Sequence, residues 1–295
     1  PPAVLRLSTP AITMRLNSTP ATVPSPPDLS GRTVVALHAH PDDEAIFTGL
    51  TLRRLADAGA RTVLVVATAG ELGGSRVPLR PGETVADRRL SELERSAELL
   101  GVARLVVLGL RDSGLPGDPS VAHPRALARA DIAQLARRVA DIAEAESAGA
   151  IVHDDEHGIY GHPDHRAVGR IGAIAAAVAG VTGYRTTVDR AHLQGARKTH
   201  LVHGAARAAG VEFGRDPDEI ALAVTGTPEQ LSRKRAAIIA HESQVAPDDV
   251  PAETFALTYG YEWFRREGSP GVLDQLGTSV EVSSDTAGTA GQLAH

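Results

Sequence analysis

The sequence contains no cysteine among its 295 residues. This absence excludes disulfide frameworks, thiolate metal sites and cysteine nucleophiles, because each of these needs a thiol side chain. The redox compartment of the protein is left undetermined. If the protein binds a metal ion, the side chains that hold it must be those of His, Asp and Glu.

Aromatic residues, basic runs and long apolar stretches are also scarce. Aromatics make up 3% of the chain, so the core must be built mainly from Ala, Val, Leu and Ile. The net charge is −6 and no dense Lys/Arg block occurs, whereas a nucleic-acid binder needs a basic face. No apolar run reaches the roughly 18 residues that span a bilayer. We therefore expect neither a nucleic-acid nor a membrane partner. Because the sequence has no secretory signal, we expect a cytoplasmic protein. The sequence leaves open whether the protein forms a homo-oligomer.

Short apolar runs alternate with helical patterns along the middle of the chain. This alternation is typical of a parallel sheet that helices cover on both faces. It predicts an α/β protein with a Rossmann-like, doubly wound, mainly parallel sheet. We expect strands over residues 33–37, 62–67, 105–108 and 150–152 and helices over residues 43–58, 85–100, 131–145, 163–178 and 228–244.

Composition divides the chain into four segments. Residues 1–30 are rich in Pro, Ser and Thr, and residues 278–295 in Ser, Thr, Gly and Ala, so we predict a mobile N-terminal arm and a flexible tail. Residues 31–180 carry the clear alternation and form the predicted catalytic domain. The weaker pattern over residues 181–277 predicts a strand or two and a long helix, which form a smaller C-terminal cap that completes the site.

Two short segments share one design. The segment HAHPDDE, residues 38–44, directly follows the first predicted strand, and YGHPDH, residues 160–165, follows the fourth. Each contains His-Pro-Asp and then a further residue of a metal-ligating type. Proline suits the first position of a helix, and acidic residues suit its first turn. Each segment is therefore predicted to begin a helix.

The spacing within these segments brings potential ligands together. Residues three apart share a helical face, so His40 and Asp43 converge, and His162 and His165 do likewise. Both helix starts follow the carboxyl ends of strands, where open α/β sheets place their sites. A single Asp-Asp pair is usually a helix cap and a single His a core residue, but two copies at two junctions are harder to explain in that way. The pattern matches a catalytic zinc site with an open position for water.

These segments resemble the signature of the LmbE-like (PIG-L) zinc N-deacetylases, which read Ala-His-Pro-Asp-Asp-Glu near the start and His-Pro-Asp-His further on. The resemblance extends over about residues 32–245. Further segments similar to the family lie at residues 68–71, 89–92, 111–114 and 234–244. The His-Ala-His opening and the Tyr-Gly that precedes the second motif are most similar to the branch with mycothiol-pathway deacetylases and mycothiol-conjugate amidases.

The resemblance implies a site for one divalent ion, zinc first and iron or another metal as alternatives. The implied ligands are His40, Asp43 and His165. It implies Asp42 as the base that activates the attacking water. His162 and Tyr160 are implied as the groups that stabilise the oxyanion, and either His162 or Asp42 as the group that protonates the departing amine. Each role is chemically reasonable, because an amide is a poor electrophile that needs a Lewis acid, a base and oxyanion donors.

Further polar residues lie near these segments. Asp112 follows the third strand and Arg76 lies in a Gly-rich loop, so we expect both to contact the substrate; an ordinary turn residue and a solvated loop charge are the alternatives. His38 is the chief rival metal ligand, although packing or support of the ligands is the favoured role. The sequence does not decide the roles of His157 and His241.

The predicted function is zinc-dependent hydrolysis of an N-acyl, expected N-acetyl, amide on an amino-sugar-containing small molecule. One alternative is an amidase that acts on a thiol S-conjugate or a natural-product intermediate, with the same chemistry. Another is a non-catalytic Rossmann-like protein that binds a metal or a nucleotide. The last is disfavoured because the first strand–helix junction carries carboxylates where a nucleotide binder carries Gly-x-Gly-x-x-Gly.

Overall fold

The computed structural model describes residues 27–194 and 200–279, so most of the predicted N-terminal arm and C-terminal tail lies outside the described residues. The described strands are β1 (Thr33–His38), β2 (Arg61–Thr68), β3 (Arg104–Leu110), β4 (Ala150–Asp154), β5 (Thr182–Thr187), β6 (Leu222–Thr225), β7 (Tyr261–Glu267) and β8 (Thr278–Ser279). The described α-helices are α1 (Asp43–Phe47), α2 (Gly49–Asp57), α3 (Val85–Leu100), α4 (Ile132–Ala145), α5 (Gly158–Gly161), α6 (Pro163–Ala179), α7 (Arg190–Gln194), α8 (Leu201–Ala209), α9 (Pro228–Ala240) and α10 (Ala252–Tyr259). None of these helices is both long and apolar enough to cross a bilayer.

All the described strands belong to one mixed sheet, in the order β3-β2-β1-β4-β5-β7-β6-β8. The five strands from β3 to β5 pair in parallel, whereas β7, β6 and β8 pair antiparallel. The chain runs outward from β1 to β3 and then returns to β4 on the other side of β1. A crevice opens beyond the carboxyl ends of β1 and β4, where the connections diverge. The predicted Rossmann-like, mainly parallel α/β fold is confirmed.

Burial on both faces explains the continuous apolar sequences of the central strands. All six residues of β1 and all five of β4 are buried. Side chains alternate between the faces of a strand, so neighbours in β1 belong to different cores. Val34 and Ala36 join one apolar cluster, while Val35 and Leu37 join the other. The two layers of helices therefore hold the central strands, and the crevice at their ends, from both sides.

The two predicted helix starts differ in the structure. Helix α6 begins with Pro163 at its first position, and the side chain of His162 caps it by accepting the backbone N–H of Asp164. The single helix expected over residues 43–58 is divided into α1 and α2 at Thr48. The backbone of Thr48 leaves the helical region (φ −135°, ψ 8°), and its hydroxyl donates to the Glu44 carbonyl at 3.0 Å. Such local bonds of Thr compete with helical hydrogen bonds.

Residues 181–277 extend the same sheet as well as packing beside it. We expected a strand or two here, and the structure has β5, β6 and β7, followed by the two-residue β8. Helix α9 ends at Ala240, before the expected residue 244, because His241 leaves the helical conformation (φ −84°, ψ 54°). This turn directs His241 into the interior of the protein, where it is fully buried. The division into catalytic domain and cap stays a prediction.

Candidate metal centre

The two His-Pro-Asp segments meet at the crevice beyond β1 and β4. Helix α1 begins just after β1, and α6 begins a short loop after β4. The rings of His40 and His165 therefore lie close together, with 5.2 Å between their centroids. Both rings are buried. The sheet topology brings together side chains that are far apart in the sequence.

Three buried side chains, two from the first segment and one from the second, form a potential metal site. His40, Asp43 and His165 each offer a ligand atom within 4.8 Å of the other two. Nδ1 of His40 is 3.5 Å from Oδ2 of Asp43, and Nε2 of His165 is 3.4 Å from Oδ1 of the same carboxylate. Two nitrogens and one oxygen suit a catalytic zinc ion or a similar divalent ion, because catalytic zinc sites use three protein ligands. We call these three residues the metal group.

A buried carboxylate orients each histidine of the metal group. Oδ2 of Asp164 lies 3.2 Å from Nε2 of His40, and Oδ2 of Asp154 lies 2.8 Å from Nδ1 of His165. The other nitrogen of each ring is thereby directed towards Asp43. Histidine ligands in metal sites commonly have this carboxylate partner, which fixes the tautomer and the ring orientation. The residues present therefore fit a divalent ion.

The charge around the metal group also favours a cation. Besides its own Asp43, four aspartates surround it, namely Asp42, Asp112, Asp154 and Asp164. Burial raises the pKa of Asp154, and burial raises the pKa of Asp42 to about 6, even though Arg89 acts in the opposite direction on Asp42. The protein therefore buries several carboxylates here, and such groups are costly to bury without a partner.

A second set of potential ligands overlaps the first. His40, Asp112 and His162 also offer atoms within 4.8 Å of one another. This set would use the same His40, whose Nε2 already faces Asp164. Asp112 is 3.7 Å from that nitrogen, farther than Asp164 is. The first set is therefore the better candidate for the metal ion.

Asp42, the predicted base, has an unusual backbone conformation. Its φ is 113° and its ψ is −30°, a region that residues other than glycine rarely adopt and that costs about 1–3 kcal/mol. Nη2 of Arg89 donates to the Pro41 carbonyl at 2.5 Å and to Oδ2 of Asp42 at 3.0 Å. The Asp42 N–H donates to Oε2 of Glu44 at 3.0 Å. These contacts fix the Asp42 carboxylate at the edge of the crevice.

Glu44 is in turn held by side chains from two distant elements. The hydroxyl of Ser96 in α3 donates to Oε1 of Glu44 at 2.5 Å, and Nε2 of His241, just after α9, lies 2.7 Å from the same oxygen. All three side chains are completely buried. Burial raises the pKa of Glu44, but the charge of His241 and these hydrogen bonds outweigh it and lower the pKa. His241, whose role the sequence left open, thus contacts Glu44 rather than the metal group.

His162 and Tyr160 provide hydrogen-bond donors beside the metal group. Nδ1 of His162 accepts the backbone N–H of Asp164 at 3.1 Å, so the proton of the neutral ring is on Nε2. Burial and two neighbouring histidines lower the pKa of His162 to about 3, which keeps the ring neutral near pH 7. The hydroxyl of Tyr160 lies 3.0 Å from Nε2 of His165, and burial raises its pKa well above the usual value.

A cavity of about 340 Å³ opens in front of these residues. Its lining residues are His40, Asp42, Leu72, Gly73, Arg89, Asp112, Gly114, Leu115, Asp118, Tyr160, His162 and Gln244. Asp112, a predicted substrate-binding residue, is therefore at the cavity, where it accepts the Gly114 N–H at 2.8 Å. Sequence reasoning missed Arg89 and Gln244 as cavity residues. The helices that carry or precede them were predicted, but which residues face the crevice depends on tertiary packing.

Three other candidates lie outside the metal group. Arg76 is exposed, and its guanidinium donates to the carboxylate of Asp249. It does not line the cavity beside the metal group, and its expected role in substrate binding stays a prediction. Nε2 of His38 is 2.8 Å from the Thr48 hydroxyl, and the ring is completely buried, which favours the packing role. His157 is exposed.

Comparison with known proteins agrees with this architecture. The sequence matches the profile of the PIG-L family, described as GlcNAc-PI de-N-acetylase, over residues 35–176. It is 35% identical over 242 residues to 1D-myo-inositol 2-acetamido-2-deoxy-alpha-D-glucopyranoside deacetylase of Acidothermus cellulolyticus, covering 74% of this chain and 81% of that protein. The chain belongs to the PIG-L family. The protein of the same name from Nakamurella multipartita is 37% identical over 247 residues, covering 76% of this PIG-L chain and 83% of that protein.

Solved structures of deacetylases share the fold of this PIG-L protein. The N,N'-diacetylchitobiose deacetylase from Pyrococcus horikoshii has a TM-score of 0.53 at 22% identity, covering 80% of this chain and 84% of that chain. The A40926 pseudoaglycone deacetylase has a TM-score of 0.54 at 18% identity, with coverage of 79% and 96%. At these identities the likeness concerns the fold. The family description and the names of the relatives are those of deacetylases, which hydrolyse amide bonds.

Proposed function

We propose that this PIG-L protein uses one divalent metal ion to hydrolyse the N-acyl amide of a 2-amino-2-deoxyglucose unit in a small molecule. The observation that carries the proposal is the metal group beside the constrained Asp42 at the end of a polar cavity. The relatives are named for an N-acetylglucosaminyl inositol, so we propose an N-acylated glucosaminyl inositol as the class of substrate. Zinc is the proposed ion because its catalytic sites use three N and O ligands and leave one position open.

Asp42 is the proposed general base. When bound, the ion would polarise the acyl oxygen and make a nearby water more acidic. The Asp42 carboxylate lines the cavity next to the metal group, and its pKa of about 6 lies near the pH at which a base works best. In the proposed step Asp42 takes one proton from the water, while the water oxygen forms a bond to the acyl carbon.

His162 and Tyr160 are proposed to stabilise the oxyanion that forms in this step. Both line the cavity, and both are donors there, because His162 carries its proton on Nε2 and Tyr160 keeps its phenolic proton. Donors already held in place in a site that excludes water lower the barrier without reorganisation.

The departing amine needs a proton when the carbon–nitrogen bond breaks. A His162 ring whose pKa is about 3 is a neutral group and not the charged acid that would supply it. We therefore assign this proton to Asp42, which received it from the water. The products are a carboxylic acid and a free amino sugar, and Asp42 is again a carboxylate.

Asp112 is proposed to accept hydrogen bonds from sugar hydroxyls. Its side chain is almost completely buried, and it lines the cavity close to His40. Oδ2 of Asp112 also accepts the Leu72 N–H at 3.3 Å, so the side chain is held in one orientation. A fixed acceptor of this kind discriminates in favour of substrates with a hydroxyl at the matching position.

Amide cleavage in a thiol S-conjugate is the second candidate. Leu72 and Leu115 both line the cavity and are 39% and 43% exposed. Two exposed leucines at the cavity favour a substrate with an apolar group beyond the sugar.

A panel of amides tests the proposal. The pure protein is incubated with N-acetylglucosaminyl inositol, N-acetylglucosamine and an N-acetylated thiol S-conjugate, before and after chelation. We expect equal amounts of acid and free amine from the sugars, loss of this release on chelation and its return with zinc. Release of acid from the S-conjugate alone would support the second candidate. No acid from any amide would contradict both.

A further inference from the structure

A second, smaller cavity lies against the same catalytic residues. Its volume is about 180 Å³, and it shares Asp42, Tyr160 and Gln244 with the larger cavity. It also contacts Asp43 of the metal group. The proposed reaction centre therefore lies where two cavities come together, and the proposed function assigns a ligand to only one of them.

Apart from those polar residues, the smaller cavity has apolar walls. The apolar lining residues are Ile46, Phe47, Leu201, Val202, Ala205 and Val245. Ile46 and Phe47 lie on α1, directly after Asp43, so the helix that supplies a metal ligand also supplies one wall. Leu201 and Ala205 are four residues apart on α8 and share one face of that helix. We call this smaller cavity the apolar lobe.

The chemistry of an amide matches this arrangement. The carbonyl carbon has two substituents that point away from each other: the nitrogen with its sugar and the alkyl part of the acyl group. The larger cavity is lined by carboxylates, Arg89 and Gln244 and suits the hydroxyls of the sugar. If the carbonyl carbon lies beside Asp42, as the proposed function requires, the alkyl part points into the apolar lobe.

We propose that the apolar lobe binds the acyl chain and that it selects chains of about four to six carbons over acetyl. The inference rests on the proposed function. An apolar cavity of about 150 Å³ holds benzene, with its six carbons, so the apolar lobe, at about 180 Å³, has space for a chain of similar size. The single methyl group of an acetyl would leave most of the apolar wall without a contact.

A series of N-acylglucosamines tests this inference. N-acetyl-, N-butanoyl- and N-hexanoylglucosamine are compared with the zinc-loaded enzyme by release of free amine. Burial of one methylene is worth about fourfold in affinity; because ordering the chain offsets part of this gain, we expect kcat/KM for hexanoyl to exceed that for acetyl by about tenfold. As a second readout, hexanoate should inhibit at a concentration about tenfold lower than acetate.

A pair of substitutions on α8 locates the effect. Ala205→Leu fills the apolar lobe and should lower the hexanoyl-to-acetyl ratio of kcat/KM by about tenfold. Ala208→Leu adds the same side chain at an exposed position of the same helix and should leave the ratio as it is in the unaltered protein. Thermal unfolding of both variants checks that the chains are folded. The hexanoate inhibition of the unaltered protein needs no variant at all.

The outcomes separate the two proposals. Cleavage of the acetyl substrate with no gain for the longer chains would overturn the acyl-chain inference and leave the proposed function in place. A hexanoyl preference that Ala205→Leu and Ala208→Leu change equally would overturn the assignment to the apolar lobe. No cleavage of any member, with free amine absent throughout, would overturn the proposed function and the inference together.

Discussion

The parallel and antiparallel parts of the single sheet contribute differently to this molecule. Each residue of the proposed metal group follows β1 or β4, because parallel strands present their carboxyl ends together at the switch point. The antiparallel strands supply packing and buried ion pairs instead, such as the pair between Lys234 of α9 and Glu262 of β7. The parallel topology thus places the chemistry, while the added strands hold the surrounding helices.

The largest effect is expected at the parallel part. Asp42→Ala removes the proposed base and should lower kcat by about 10³-fold, while the metal content stays at its normal level because Asp42 is not in the metal group. Steady-state kinetics and metal analysis of the same sample measure both quantities. Asp141→Ala, at an exposed carboxylate on α4, is the matched control. Normal turnover by Asp42→Ala would refute the assigned role.

A substitution in the antiparallel part should affect stability instead. Nζ of Lys234 donates to Oε1 of Glu262 at 2.7 Å, and both side chains are 1% exposed. The Glu262 carboxylate also accepts hydrogen bonds from the backbone N–H groups of Leu50 and Thr51, at the start of α2. Lys234→Met leaves Glu262 as an unpaired buried charge and should lower the free energy of unfolding by about 3 kcal/mol.

Chemical denaturation measures this loss, and kcat per folded molecule should not change. Arg233→Met, at a half-exposed side chain on the same helix, is the control and should cost little. A specific loss of kcat in Lys234→Met would break the contrast between the two parts of the sheet.

Glu44 connects the two parts and should show an intermediate effect. Glu44→Gln keeps the shape of the side chain but weakens its hold on the Asp42 N–H and on His241. A displaced base costs up to about 10²-fold in rate, so we expect kcat to fall by about 10- to 100-fold while KM and metal content change little. Ser96→Ala removes one hydrogen bond to Glu44 and should have a smaller effect in the same direction. An unchanged kcat in Glu44→Gln would show that the strained Asp42 needs no such support.

The smallest effect is expected at the boundary between the two parts. Glu156, after β4, accepts hydrogen bonds from Arg185 of β5, Arg265 of β7 and Arg215. Burial raises the pKa of Glu156, but its own backbone N–H, the hydrogen bonds from Arg265 and Arg185 and the charge of Arg215 outweigh it and lower the pKa to about 2.

Because the pKa of Glu156 is lower in the folded than in the unfolded protein (about 4.3 when unfolded), its contribution to stability is present above about pH 4.3 and is lost as the pH falls towards 2. The Tm of the unaltered protein should exceed that of Glu156→Gln by about 2 °C at pH 6. The difference is small because the Glu156 side chain is 39% exposed and its charge is partly screened by solvent. That advantage should shrink at pH 3. A constant difference between pH 6 and pH 3 would contradict this account.

Local signals explain the parts of the fold that the sequence predicted well. Helix α3 spans residues 85–100 as expected, because Thr84 caps its start and Gly101 ends it in the left-handed conformation (φ 76°). The antiparallel strands were predicted less fully. Charged residues such as Arg265 and Arg266 interrupt the apolar pattern of β7, and the pairing of β6 with β7 is a tertiary contact that no local pattern encodes.

The candidate site, like the fold, was predicted where the signal is local and missed where it depends on tertiary contacts. The spacing inside the two motifs predicted that His40, Asp43 and His165 could share an ion. The bonds of Glu44 to Ser96 and His241 join residues 52 and 197 positions apart in the chain, and they depend on how α3 and α9 pack. Sequence reasoning therefore identified the proposed ligands but not the network that holds the base.

Metal content is the most direct test of the central claim, that the ends of β1 and β4 together hold one divalent ion. Unaltered protein, His165→Ala and Asp42→Ala are loaded with zinc, dialysed and measured by plasma mass spectrometry, with circular dichroism to confirm folding. We predict about one ion per chain in the unaltered protein and in Asp42→Ala, and less than about a tenth of that in His165→Ala. A folded His165→Ala protein that kept a full ion per chain would contradict the account.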